Sequence, residues 1–190
     1  AKALIKLGDN FKQKDHEIFN KLENISGKII DGRKNAFPGE VISDFLQENK
    51  NFFPKLEEFA NKIFEKVKQN NRTRYIALCQ FLKDEYGITV KDVIPKEGKP
   101  FSKIYKVKDK ELLLSDYLSL ETKKLFAAAQ ISQEGASKEI DEYLATFNFP
   151  TEESKKLTRV ALLNYCGAAI LMPYSLFHKE CKELKYDLEL

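Results

Sequence analysis

The sequence predicts an α+β domain, mostly helical, with a small three-stranded sheet and an N-terminal helical arm. Three observations predict it. Apolar residues recur at intervals of three and four through most of the chain, as they do on helices with one buried face. Between Gly87 and Leu114 that period gives way to alternation, the pattern of strands. Apolar types make up 43% of the 190 residues and charged types 32%, enough to build a core without help from metal or disulfides.

The first stretch, Ala1 to about Ile30, reads as a helix. Leu4, Phe11, Ile18 and Ile25 fall seven apart with Leu7 and Leu22 beside them, a stripe suited to a partner helix. Lys14 and Lys21 interrupt the second seam, so the stripe suits either a dimer-forming arm or ordinary packing within the domain. Asp31-Gly32 and Phe37-Pro38-Gly39 punctuate the chain, dividing it into an arm over 1–36 and a domain over 37–190. A helix from Pro38 carries Val41, Ile42, Phe45 and Leu46 on one side. The next, Pro54 to Lys68, carries Leu56, Phe59, Ala60, Ile63, Phe64 and Val67. A third, near Arg72 to Tyr86, buries Tyr75, Leu78, Phe81 and Leu82, and Gly87 stops it.

Ile88-Thr89-Val90 is β-branched and reads as the first strand. Phe101 to Lys108 alternates as the second. Asp109-Lys110 turns the chain into Glu111-Leu112-Leu113-Leu114, the third, antiparallel to the second. Ser119 then caps a helix with Glu121 in its first turn, and a short helix follows near Ser137 to Phe147. Thr151 caps a long segment ending at Met172-Pro173, whose apolar second half makes it the central buried helix. Ser175 caps a last helix carrying Leu176, Phe177, Cys181 and Leu184.

Composition excludes several classes. No apolar run approaches the roughly 20 residues that span a bilayer, so no membrane is expected. Cys79, Cys166 and Cys181 are odd in number and widely spaced, which argues for a reducing cytoplasm over a secreted disulfide framework. A net charge of +3 is too small for a domain that holds DNA by itself. There is no Gly-rich phosphate loop, paired Cys-x-x-Cys or Ser nucleophile elbow. His16 falls on the polar face of the arm. His178 and Cys181 stand three apart on a helix but lack the further ligands of a structural zinc.

Two basic groups have aromatics between them. Arg72-Thr73-Arg74-Tyr75 opens a helix, where N–H groups and guanidinium forks favour an anion, and Lys103 shares a strand face with Tyr105. A phosphate-bearing ligand with a flat ring suits them together. A helix start with two surface arginines suits the first equally well.

The segment Leu162 to Tyr174, Leu-Leu-Asn-Tyr-Cys-Gly-Ala-Ala-Ile-Leu-Met-Pro-Tyr, resembles the Ala-Asn-x-Phe-Ala-x-x-Leu-Leu-Met-Pro signature of the ImmA/IrrE family. The continuation to Leu184-Lys185-Tyr186-Asp187-Leu188 resembles the branch of short-chain fatty-acyl-responsive, XRE-type bacterial transcriptional regulators. Phe37 to Pro54, Arg74 to Val90 and Leu112 to Lys124 fit the same branch, so the resemblance covers about residues 37 to 190. It implies a degenerate zincin-like sensor that binds CoA or a short-chain acyl-CoA as effector. It also implies a homodimer that meets DNA only through a helix-turn-helix outside this chain. The sequence then reads as the connector plus sensor of a longer protein, without the family's cysteine-rich C-terminal extension.

Active members of the wider family carry His-Glu-x-x-His. Matching Lys123-Lys124-Leu125 to the usual Arg-Arg-Phe puts Ala129, Gln130 and Gln133 in the three slots, where Ala cannot ligate zinc and Gln cannot act as general base. No carboxylate stands in Val160 to Leu163, where the third ligand belongs, so no peptidase activity is expected. The effector pocket is expected where the sheet meets the helices from Arg72 and Thr151. Arg72, Arg74 and Lys103 would take phosphates, and Tyr75 and Tyr105 an adenine. Ala127, Ala128, Gly167 and Ala168 would leave room for an acyl chain beside Phe126 and Tyr165. The small residues serve equally well to let two helices pack closely. The rival function is a catalytically dead peptidase fold whose cleft receives a partner protein.

Overall fold

The computed structural model describes residues 38–68, 73–96 and 101–183. The arm stripe, His16, Arg72 and the stretch from Leu184 onward lie outside the described residues. The elements are α1 (Pro38–Glu48), α2 (Pro54–Lys68), α3 (Arg74–Tyr86), β1 (Thr89–Val93), β2 (Lys103–Lys106), β3 (Glu111–Ser115), α4 (Leu120–Gly135), α5 (Ser137–Ala145), α6 (Glu152–Leu171) and α7 (Tyr174–Glu183). The α+β class is as the alternating stretch between helical segments required.

Local chemistry accounts for most boundaries. Pro54 opens α2 at the one helical position where a missing N–H costs nothing. Gly87, at φ 70°, ends α3 in the left-handed conformation and returns its N–H to Lys83 O. The Ser119 and Thr151 hydroxyls accept from Thr122 N and Ser154 N, capping α4 and α6. Several boundaries differ from expectation: β1 runs on to Val93, and α5 stops at Ala145. β2 is four residues long because its end is drawn into the turn that Lys110 closes at φ 48°. Ser175 lies inside α7 rather than capping it, since Phe177 N already bonds Pro173 O and the first turn begins at Tyr174.

The sheet order is β1-β3-β2, with β3 parallel to β1 (Val90 opposite Leu112) and antiparallel to β2 (Tyr105 opposite Leu112). Two apolar clusters make the core. One gathers α2, α3, the sheet, α4 and the end of α6 around Leu78, Leu82, Ile88, Leu112, Leu114, Ile131 and Ile170. The other gathers α1, the start of α2, α5 and the middle of α6 around Phe45, Phe53, Leu56, Ile140, Leu162 and Cys166. Helix α6 serves both clusters, as a segment with so apolar a second half must.

Candidate functional site

The first helix turn after Thr73 sets Arg74 against two neighbours. Its guanidinium donates to Leu171 O, the last carbonyl of α6, and lies over the Phe64 ring of α2 with Cζ 4.9 Å from the centroid. Tyr75 points the other way. It is half-buried against the first cluster and donates its hydroxyl to Asp92 Oδ1 of β1 at 2.8 Å. Burial, then this carboxylate, holds the Tyr75 phenol protonated well above its ordinary range. Cys79, one turn further on, is pushed up to about 11 by burial.

The sheet supplies the next residues. Lys103 Nζ stands 5.6 Å from the Phe126 ring centroid on α4, and Tyr105 packs on the same cluster as Tyr75 and Phe126. Burial, with Glu134 close by, raises the Tyr105 phenol. Glu134 in turn accepts from Gln130 Nε2 at 2.8 Å, so Gln130, 2% exposed, spends its amide within α4. Tyr75, Tyr105 and Phe126 therefore all pack against the first cluster, with Lys103 over the Phe126 ring and Arg74 held between α2 and the end of α6.

Two expected members stand elsewhere. Tyr165 belongs to the second cluster, its ring edge-on to Phe53 at 5.0 Å and its hydroxyl donated to Glu57 Oε1 at 2.6 Å. Burial, then Glu57, raises that phenol too. Helix α6 carries Tyr165 and Gly167 about 200° apart, so they cannot line one slot. Gly167 faces α4 so closely that a Cβ there would sit 2.9 Å from Ala129 N and 3.1 Å from Ala129 Cα. Ala168, the other small residue expected near an acyl chain, is exposed.

Two buried charged residues, Lys123 and Glu57, stand outside the set that the sequence suggests. Lys123, beside Lys124 in the sequence, is buried. Its ammonium bridges Asp116 at 3.0 Å and Asp92 at 3.4 Å, and these charges, Asp116 first, hold its pKa above the ordinary lysine value. With Tyr75 these groups form one polar network joining α3, β1 and α4. A signal existed, because Lys123 precedes the buried Ala127 and Ile131 by four and eight. Likewise Glu57 is 8% exposed and stands three before Ala60 and seven before Phe64, on the apolar face of α2. Among the described residues no single helix is long and apolar enough to cross a membrane, and no three His, Cys, Asp or Glu side chains gather to hold a metal.

Residues 83–190 match the peptidase-family model described as the IrrE N-terminal-like domain. The chain belongs to this family. It is 28% identical over 155 residues to the HTH-type transcriptional regulator PrpR of Mycobacterium tuberculosis, covering 80% of this chain and 31% of PrpR. It is 24% identical over 154 residues to the HTH-type transcriptional regulator RamB of the same species, covering 81% and 32%. A solved Mycobacterium tuberculosis transcriptional regulator superposes with a TM-score of 0.71 at 27% identity, over 80% of this chain and 46% of that one. The chain thus spans about a third of the length of the curated relatives it matches. Its relatives are regulators, and the IrrE-like domain is what it shares with them.

Proposed function

We propose that this chain is the effector-sensing and dimerising region of a bacterial XRE-type transcriptional regulator, working in the cytoplasm without peptidase activity. The observation that carries the reading is the relationship to two HTH-type regulators over four-fifths of the chain. Residues 1–36 are the dimerising connector and 37–190 the sensor. DNA is met through a helix-turn-helix elsewhere in the longer protein.

The effector is CoA or a short-chain acyl-CoA. Arg74 and Lys103 meet its phosphates, Tyr75 and Tyr105 its flat ring, and Phe126 its apolar part. Arg72 would extend the phosphate contacts of Arg74. Tyr165 and Gly167 leave the ligand set, because one is committed to Glu57 and the other to the α4–α6 crossing. The mechanism is a population shift: a phosphate draws on the guanidinium that otherwise serves Leu171 O, so the effector prefers one arrangement of the sensor.

Ala129, Gln130 and Gln133 occupy the His-Glu-x-x-His slots. That donor set does not suit zinc, since Ala129 offers no donor and the Gln130 amide is bonded to Glu134. The tight Gly167–Ala129 approach also leaves no room for a longer ligating side chain opposite the first slot. Calorimetry with CoA and short-chain acyl-CoA tests the effector reading. The parent chain should bind, and Arg74→Glu and Lys103→Glu should each weaken binding by about 1.5–3 kcal/mol, the range for charge-assisted hydrogen bonds. A parent chain that binds neither compound refutes the reading and favours a protein-interaction module.

A further inference from the structure

Helix α6 does not continue into α7. Pro173 has no N–H to give α6, and the two axes meet at 56°. An elbow of this kind leaves carbonyls without partners on one side and N–H groups without partners on the other. A charged side chain reaches each side. Arg74 of α3 donates to Leu171 O, at the negative end of the α6 dipole. Glu57 of α2 places Oε2 3.5 Å from Tyr174 N, at the positive end of α7, while its Oε1 accepts from Tyr165 at 2.6 Å. The longer contact acts chiefly as charge against a helix end. Both signs are those that the dipoles favour.

Packing does little to aim α7. None of its residues is buried, and Tyr174, Leu176 and Phe177 are 51%, 41% and 44% exposed. At the elbow Tyr174 lies against Phe52 at 5.5 Å and Pro173 is buried, and further along α7 only His178 and Cys181 are half-buried. A helix of ten residues, none of them buried, takes much of its direction from its first turn.

We propose that Arg74 and Glu57 form a two-charge latch that sets the direction of α7, making α7 the movable output element of the domain. They are positioning residues for this helix, whether or not Arg74 also takes a phosphate. Opening either side frees α7 to swing while both core clusters stay packed.

Pulsed electron spin resonance on the full chain without ligand tests this. One spin label goes on Cys181 of α7 and the other on Lys62→Cys of α2, in a Cys79→Ser, Cys166→Ala background diluted with unlabelled chain. The parent should give one narrow distance distribution. Arg74→Met keeps an apolar stem on Phe64 but removes the donor, and should broaden the distribution or shift it by several ångströms. Arg74→Lys, which keeps the charge, should restore it. Circular dichroism and a control pair, Lys62→Cys with Lys138→Cys in the same background with Cys181→Ser, should stay unchanged. Should Arg74→Met fail to fold, Glu57→Gln is decisive, because it keeps the side chain's size and an acceptor for Tyr165 while removing the charged acceptor that faces Tyr174 N–H. An unaltered α7 distribution in a folded Arg74→Met chain, or in Glu57→Gln if that is the chain tested, overturns the latch. So does a control distance that moves as far as the α7 distance.

Discussion

At Gly167 one hydrogen atom does what no side chain could. The α4 and α6 backbones touch there, and the nearest atoms to an added Cβ belong to the Ala128–Ala129 main chain, which cannot rotate away. Gly167→Ala would gain up to about 1 kcal/mol of helix propensity. Overpacking against backbone costs about 1–3 kcal/mol. The expected outcome is a net loss of about 1–2 kcal/mol, read as a lower urea midpoint with an unchanged slope. An equal or higher midpoint would mean the crossing is looser than 2.9 Å implies. Residue identity alone left Gly167 open between lining a pocket and closing a crossing, because both uses want the same missing side chain. Little in the sequence sets Lys123 apart, for a related reason: a lysine beside another lysine resembles a solvated face until Asp92 and Asp116 are brought to it from β1 and the turn after β3.

Among the elements, the sheet shows how local charge and long-range pairing combine. Glu111 begins β3, flanked by Lys91 of β1 and Lys106 of β2, and these ammonium groups hold its carboxyl below its ordinary range. A lowered carboxylate stabilises fully above its unfolded value and loses that contribution as pH falls through the folded one. Urea midpoints measured from about pH 7 down to about pH 3 should therefore fall less steeply for Glu111→Gln than for the parent. Parallel curves would show that the two lysines contribute nothing measurable. The strands themselves were legible from alternation and the Asp109-Lys110 turn. The parallel pairing of β1 with β3 was not, because strand order is set by which faces the helices cover.

For the molecule as a whole, the arm carries the assembly prediction. If Leu4, Phe11, Ile18 and Ile25 form a seam between two copies, Phe11→Glu must bury a charge in it and weaken association. Sedimentation at roughly tens of micromolar should then find a dimer for the parent and a larger monomer fraction for the variant. A monomeric parent at that concentration refutes the dimer. The family, the described helical segments, the Ser119 and Thr151 caps and the central place of α6 could be read from residue order. Periodicity, capping side chains and a signature around Leu162 to Tyr174 are properties of neighbouring residues. The partners of Arg74, Glu57, Lys123 and Tyr165 could not be read that way. Each meets a group that folding brings from another part of the chain, up to 117 residues away in the case of Glu57 and Tyr174. Such contacts depend on how helices cross and where an elbow bends, and a one-dimensional pattern records neither.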